Sequence, residues 1–118
     1  MQPIRELAPD SWSEYFDTIA DDLFNESVSI EVIDTSPLIE ADRLALQALI
    51  YDERNHVFEV AVARGGPSGP SVLRHLIDHP TRITVDSMTS LAPTTIVVDA
   101  RDGVRTVIRT ERSPAFSG

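Results

Sequence analysis

Two amino acids are missing from this 118-residue chain, and each absence closes off chemistry. Without cysteine there is no disulfide, no thiolate nucleophile and no cysteine-ligated zinc. All ten basic residues are arginine. The lack of lysine removes any side-chain amine for a Schiff base and excludes a phosphate-binding loop ending in Gly-Lys-Ser/Thr. Long apolar runs are missing too, since none approaches the roughly 18 residues of a membrane span. The opening Met1-Gln2-Pro3-Ile4-Arg5-Glu6 has no basic start followed by a hydrophobic run, so no secretion signal is read and a cytoplasmic location is expected. Positive charge is scarce where the chain begins. Met1 to Asp42 holds eleven acidic residues against one basic, whereas Arg43 to Gly118 holds eight against nine, for a total of -9. Such acidity repels a phosphate backbone and an anionic lipid surface, so neither nucleic acid nor membrane is an expected partner.

What is present reads as a soluble globular protein, with 42% hydrophobic and 25% charged residues. One domain is expected over residues 1–112, with a frayed tail over 113–118. Its centre is the stretch Arg43–Arg64, where two apolar runs, Leu44–Tyr51 and Val57–Ala63, flank the polar Asp52-Glu53-Arg54-Asn55. That pattern predicts a β-hairpin with a loop of about four residues, Ile50 facing Val57 and Leu49 facing Phe58. Strict alternation puts Leu44, Leu46, Ala48, Ile50, Val57, Glu59 and Ala61 on one face, with Leu49, Tyr51, Phe58, Val60 and Val62 among those on the other. Neither face is polar throughout, so something is expected to pack on both sides, a second copy of the chain included.

Ahead of the hairpin, Ala8-Pro9-Asp10-Ser11 opens a helix, with Ser11 and Glu14 at capping-box spacing. Trp12, Tyr15, Phe16, Ile19, Ala20, Leu23 and Phe24 follow at steps of three and four, the core face of an amphipathic helix. The opposite face carries Asp10, Glu14, Asp17 and Asp21, with Asp22 beside them. Like charges at this spacing cost a helix about 0.2–0.5 kcal/mol each, so helix stability does not explain them. They are expected to be a solvated face, a docking stripe for a basic partner or a loose divalent-cation site, with no loop of the helix-loop-helix calcium kind beside them.

Ser27–Asp34 alternates as a half-buried strand, and Thr35–Asp42, with Pro37, reads as a connection. Gly65–Pro70 is a loop. Ser71–Asp78 is predicted as a short helix ended by Pro80, with Val72, Leu73, Leu76 and Ile77 inward. On that helix His75 and His79 would share a face at metal-ligand spacing, with a third ligand to come from His56 or a carboxylate. Arg82–Ser87 is a strand, and Asp102-Gly103 turns a final hairpin between Thr94–Ala100 and Val104–Thr110. Arg105 and Arg109 share a face of its second strand, with Arg101 nearby, making a basic row that could meet the acidic helix stripe within one chain or between two.

The expected fold is α+β. An N-terminal amphipathic helix packs on a bent, mostly antiparallel sheet of about six strands, with a short second helix; a small SH3-like or Sm-like barrel is the alternative. The segments IRELAPDSWSEYFDTI, VSIEVID, LALQALIYDERNHVFEV and LRHLIDHPTRITVD, with the closing Asp-Gly hairpin, resemble the family known as domain of unknown function 5335. The resemblance implies a small bacterial single-domain protein and brings no activity, cofactor or catalytic residue with it. No nucleophile, base and orienting group stand in a recognisable motif. The chain is therefore expected to be a non-catalytic interaction module without a cofactor, binding a basic protein or its own second copy as a homodimer. A hydrolase using His75, His79 or His56 with Asp78 or Asp86 is the alternative.

Overall fold

The apolar stripe of the first helix determines where everything else packs. In the computed structural model, which describes residues 5–35, 37–64, 71–86 and 93–110, helix α1 spans Trp12–Leu23 after a single 3-10 turn at Pro9–Ser11. Trp12, Phe16, Ile19 and Leu23 are all buried. The helix stops there, because Phe24 takes an extended ψ of 131° and Asn25 a left-handed φ of 70°. Phe24 consequently leaves the core face it was expected to share and is 55% exposed. The capping box does not form either. Ser11 Oγ donates to the Ala8 carbonyl (2.7 Å) instead of receiving a helix N–H, and the indole of Trp12 donates to the Leu7 carbonyl (3.1 Å).

Eight strands follow the order β1-β6-β7-β8-β2-β3-β4-β5 in one open sheet, and every neighbouring pair is antiparallel. They are β1 (Arg5–Glu6), β2 (Ser27–Ile33), β3 (Pro37–Asp52), β4 (Val57–Arg64), β5 (Ser71–Asp78), β6 (Pro80–Val85), β7 (Thr95–Ala100) and β8 (Arg105–Thr110). All six expected strands are present. The count rises to eight because β1 was not anticipated and because Ser71–Asp78 is a strand, not the predicted second helix. Its apolar pairs Val72-Leu73 and Leu76-Ile77 suit a helix locally, but pairing along its whole length with β4 overrides that preference. β3 is also longer than expected, taking in the supposed connection from Pro37. The Gly65–Pro70 loop, most of the Met88–Pro93 loop and the tail from Ser113 lie outside the described residues.

The central hairpin is where expected, two residues out of register. Asp52 pairs with Val57, Tyr51 with Phe58 and Ile50 with Glu59, so the loop is Glu53–His56. Asp52 tightens it, its carboxylate accepting the backbone N–H groups of Arg54 and Asn55 and the Asn55 side-chain amide. Gln47 is bulged: Leu46 pairs with Val62 and Ala48 with Ala61. This one extra residue puts Leu46 and Leu49 on the same, inner face, where both are 1% exposed. Leu46 thereby parts from Ala48 and Ile50, with which strict alternation had grouped it.

The inner face is the core. Phe16 meets Phe58 edge-on at 4.8 Å and Trp12 meets Tyr51 edge-on at 5.1 Å, over Val28, Ile30, Val60, Val62, Ile83, Ile96 and Ile108. β5 ends the sheet on one side and β6 lies near the other end, yet His79 alone joins them. Two residues of chain span at most about 7 Å, so the sheet bends round until its ends nearly meet at this corner. It stays open, without closing into the alternative barrel. His79 holds the corner through its backbone: its N–H donates to the His56 carbonyl (2.7 Å) and its carbonyl accepts from Arg101 N–H (3.0 Å). At the far hairpin Gly103 takes φ +90°, the left-handed turn its Asp-Gly pair predicted.

Candidate functional site

Because α1 turns Trp12, Phe16, Ile19 and Leu23 to the sheet, its carboxylates are left outside. Glu14, Asp17, Asp21 and Asp22 are all exposed, and among the described residues no ion pair reaches any of them. The basic row lies elsewhere. Arg105 and Arg109 project from the outer face of β8, and Arg101 sits exposed in the turn before it. Arg105 is bound to Asp99 (2.7 Å) and Arg109 to Glu31 (3.2 Å), so within one chain these two arginines meet strand acids, not the helix stripe. Arg82 bonds Glu6 (3.2 Å) on the same outer surface. The Asp99 carboxylate, in hydrogen bond and charge, raises the already high pKa of Arg105 and keeps it charged.

The histidines do not form the predicted pair. His75 lies mid-strand on β5 and His79 at the β5–β6 corner, so no helix face holds both. What the fold does bring together is His79 and His56, whose rings stack with centroids 5.7 Å apart and planes inclined 27°. Tyr51 Oη lies 3.4 Å from His56 Nδ1, and Asp78 Oδ1 lies 2.9 Å from His79 Nδ1. His56, which closes its loop, and His79, at the corner, both have φ near +54°. Among the described residues no group of three or more histidines and carboxylates converges as a metal site would require. Asp86 is committed to structure: its carboxylate accepts the N–H groups of Thr94 (2.9 Å) and Thr95 (3.0 Å) and the Thr94 hydroxyl.

A feature that sequence pattern only hinted at lies on the outer face of β3–β4–β5. Ile50, Val72 and Leu76 stand exposed there around a two-pronged Arg74–Glu59 pair, with bonds of 2.7 and 3.0 Å. Next to it a shallow hollow is lined by Ser13, Ile50, Tyr51, Asp52, Val57 and Glu59 with the loop residues Glu53 and Arg54. The mixed character of both hairpin faces was the available signal. β5, read as a helix, hid the rest.

Burial raises the pKa of Tyr15 above its usual value, outweighing the charge and weak hydrogen bonding of Arg5, whose guanidinium lies 5.8 Å from the ring centre. Among the described residues the buried Tyr15 hydroxyl oxygen has no hydrogen-bond partner in good geometry, Arg5 reaching it only weakly. A phenol whose folded pKa is raised contributes stability that is complete below the unfolded value, near 10, and is lost as pH rises through the folded one. Stability should therefore fall above pH 10, and Tyr15→Phe should lessen that fall while matching or slightly exceeding the parent at pH 7. Urea titrations at both pH values decide it; a clear loss of stability at pH 7 would show that the hydroxyl is bonded.

Comparison with known proteins finds a relative and a family, neither with a stated function. An uncharacterized protein of Aquifex aeolicus (strain VF5) is 29% identical over 107 residues, covering 89% of each chain. No solved structure matches. Residues 3–116, nearly the whole sequence, match the model of one family, and the chain belongs to it: the family of unknown function DUF5335.

Proposed function

We propose that this protein is a small, non-catalytic interaction module of the cytoplasm, a single domain over residues 1–112, that docks a basic protein surface through the outer side of α1. One observation carries the reading. Glu14, Asp17, Asp21 and Asp22 stand exposed, without a counter-charge among the described residues, on a helix whose other side is anchored in the core, while Arg105 and Arg109 are already matched by acids of their own sheet. Repulsion among the four carboxylates weakens the helix, and a positive partner would relieve it. A rigid acidic face steers association and selects its partner by charge more than it adds affinity. A homodimer is compatible with this reading, because the helix face and the outer sheet face are separate surfaces.

Binding by this face weakens with salt, since exposed charges are screened over about 8 Å at physiological ionic strength. The test is affinity capture from the protein's own cell extract at low and high salt, with Asp17, Asp21 and Asp22 changed together to Asn. The parent is expected to retain a basic protein at low salt, and the triple variant to lose it while staying as stable or more so. Equal capture by parent and variant would end the proposal.

A further inference from the structure

The two edges of the sheet are protected very differently. β1 is only two residues long. β5 is eight residues long, pairs with β4 from Val57↔Asp78 to Arg64↔Ser71 without a register shift, and has no strand on its other side among the described residues. Proteins blunt exposed edges with short strands, proline, charged side chains or bulges; of these β5 has only the charges of Arg74 and Asp78, and Arg74 is already matched by Glu59. Its outer side exposes Val72 (58%) and Leu76 (57%), interleaved with Arg74 and Asp78. A regular edge bearing apolar side chains is a template for another strand.

We propose that this strand is β5 of a second copy, joined antiparallel about a two-fold axis through Leu76. An axis perpendicular to the sheet keeps outer side chains on the outer face, so only registers centred on a residue are open to it. Centred on Arg74, arginine would face arginine. Centred on His75, Arg74 would face Leu76, and centred on Ile77, Leu76 would face Asp78. Centred on Leu76, the two leucines meet and Arg74 of each copy faces Asp78 of the other. The Arg-x-Leu-x-Asp run of residues 74–78 is thus its own complement when reversed, which is the argument for a second copy over an unrelated strand. Glu59, already on Arg74, extends each contact into an acid–arginine–acid row. The net charge of -9 does not oppose the pairing strongly. α1 packs chiefly on β3, and the β3 strands of two copies would lie five strand spacings apart, about 24 Å, beyond two Debye lengths.

The chain's lack of cysteine makes the test clean. Directly opposed residues have Cα atoms about 4.5–5.5 Å apart, within the span of a disulfide. Mild oxidation should therefore link Leu76→Cys copies at least tenfold faster than Val72→Cys copies, whose thiols lie eight residues apart along the ribbon. Sedimentation equilibrium should give a dimer for the parent and a monomer for Leu76→Lys, with unchanged circular dichroism. Asp78→Arg and Arg74→Glu should each be monomeric alone and associate when mixed, because the mixed pair restores opposite charges at both contacts. A monomeric parent at high concentration, a dimer that survives Leu76→Lys, or equal linking at positions 72 and 76 would overturn the proposal. Changing the α1 acids to Asn should leave the dimer intact, so this inference and the acidic docking face fail separately.

Discussion

Truncating Phe58 to alanine is expected to lower the free energy of unfolding by about 3–5 kcal/mol, the usual loss for a buried aromatic in a core that cannot collapse around the gap. Phe58 is fully buried, with Phe16 of α1 edge-on at 4.8 Å and Val60 and Val62 on its own strand beneath the helix. Domains of this size are stable by about 5–15 kcal/mol in all, so a large share of the total rests on one side chain. The pair with Phe16 adds about 0.5–1.5 kcal/mol beyond buried area. A double-mutant cycle with Phe16→Ala, read from urea denaturation midpoints, should return a coupling of that size. If Phe58→Ala costs less than about 1.5 kcal/mol, half the low end for a buried aromatic, the helix is not seated as described.

The second large effect is expected at the corner. His79→Pro should cost about 3 kcal/mol or more, because proline fixes φ near -65° and has no N–H. His79 has φ +53° and donates that N–H to the His56 carbonyl at 2.7 Å. His79→Gly keeps the N–H and suits the left-handed backbone, which costs other residues about 1–2 kcal/mol. It loses the ring stacked against His56 and that ring's exposed contact with Asp78, and its net change should lie within about 1 kcal/mol of zero. Urea denaturation of the two variants side by side is decisive. Equal stability would mean that β5 and β6 are not joined through this geometry.

Much of the fold was legible because its signals are local. Trp12, Phe16, Ile19 and Leu23 mark a helix face by spacing alone, and Asp102-Gly103 marks its turn because glycine is the residue that takes φ +90° without strain. β2, β6 and the last hairpin alternate with period two and were found where they were expected. The misreadings share a cause. Residues 71–78 carry no decisive period, and eight pairings with β4 made them a strand. Phe24 fits the helical repeat but falls one residue past the last helical turn. Leu46 changed faces because Gln47 bulges where β3 leaves β2 and takes up β4 as its partner, and a bulge leaves no mark on composition.

The candidate surfaces divide in the same way. The acidic stripe was visible in the order of residues, since a helix with a buried face must display the other. The arginine row was visible as a list, but Asp99 and Glu31, which hold Arg105 and Arg109, come from neighbouring strands of the sheet. His56 and His79 are 23 positions apart along the chain and stack only because the sheet bends until its two ends share a corner. By itself the order of amino acids determined the helix, most strands, the charge imbalance and the chemistries that lack of cysteine and lysine rules out, all set by near neighbours along the chain. Only the tertiary structure decided the register, the exposed β5 edge and which charges pair among the described residues, because pairing between distant strands sets which side chains face each other.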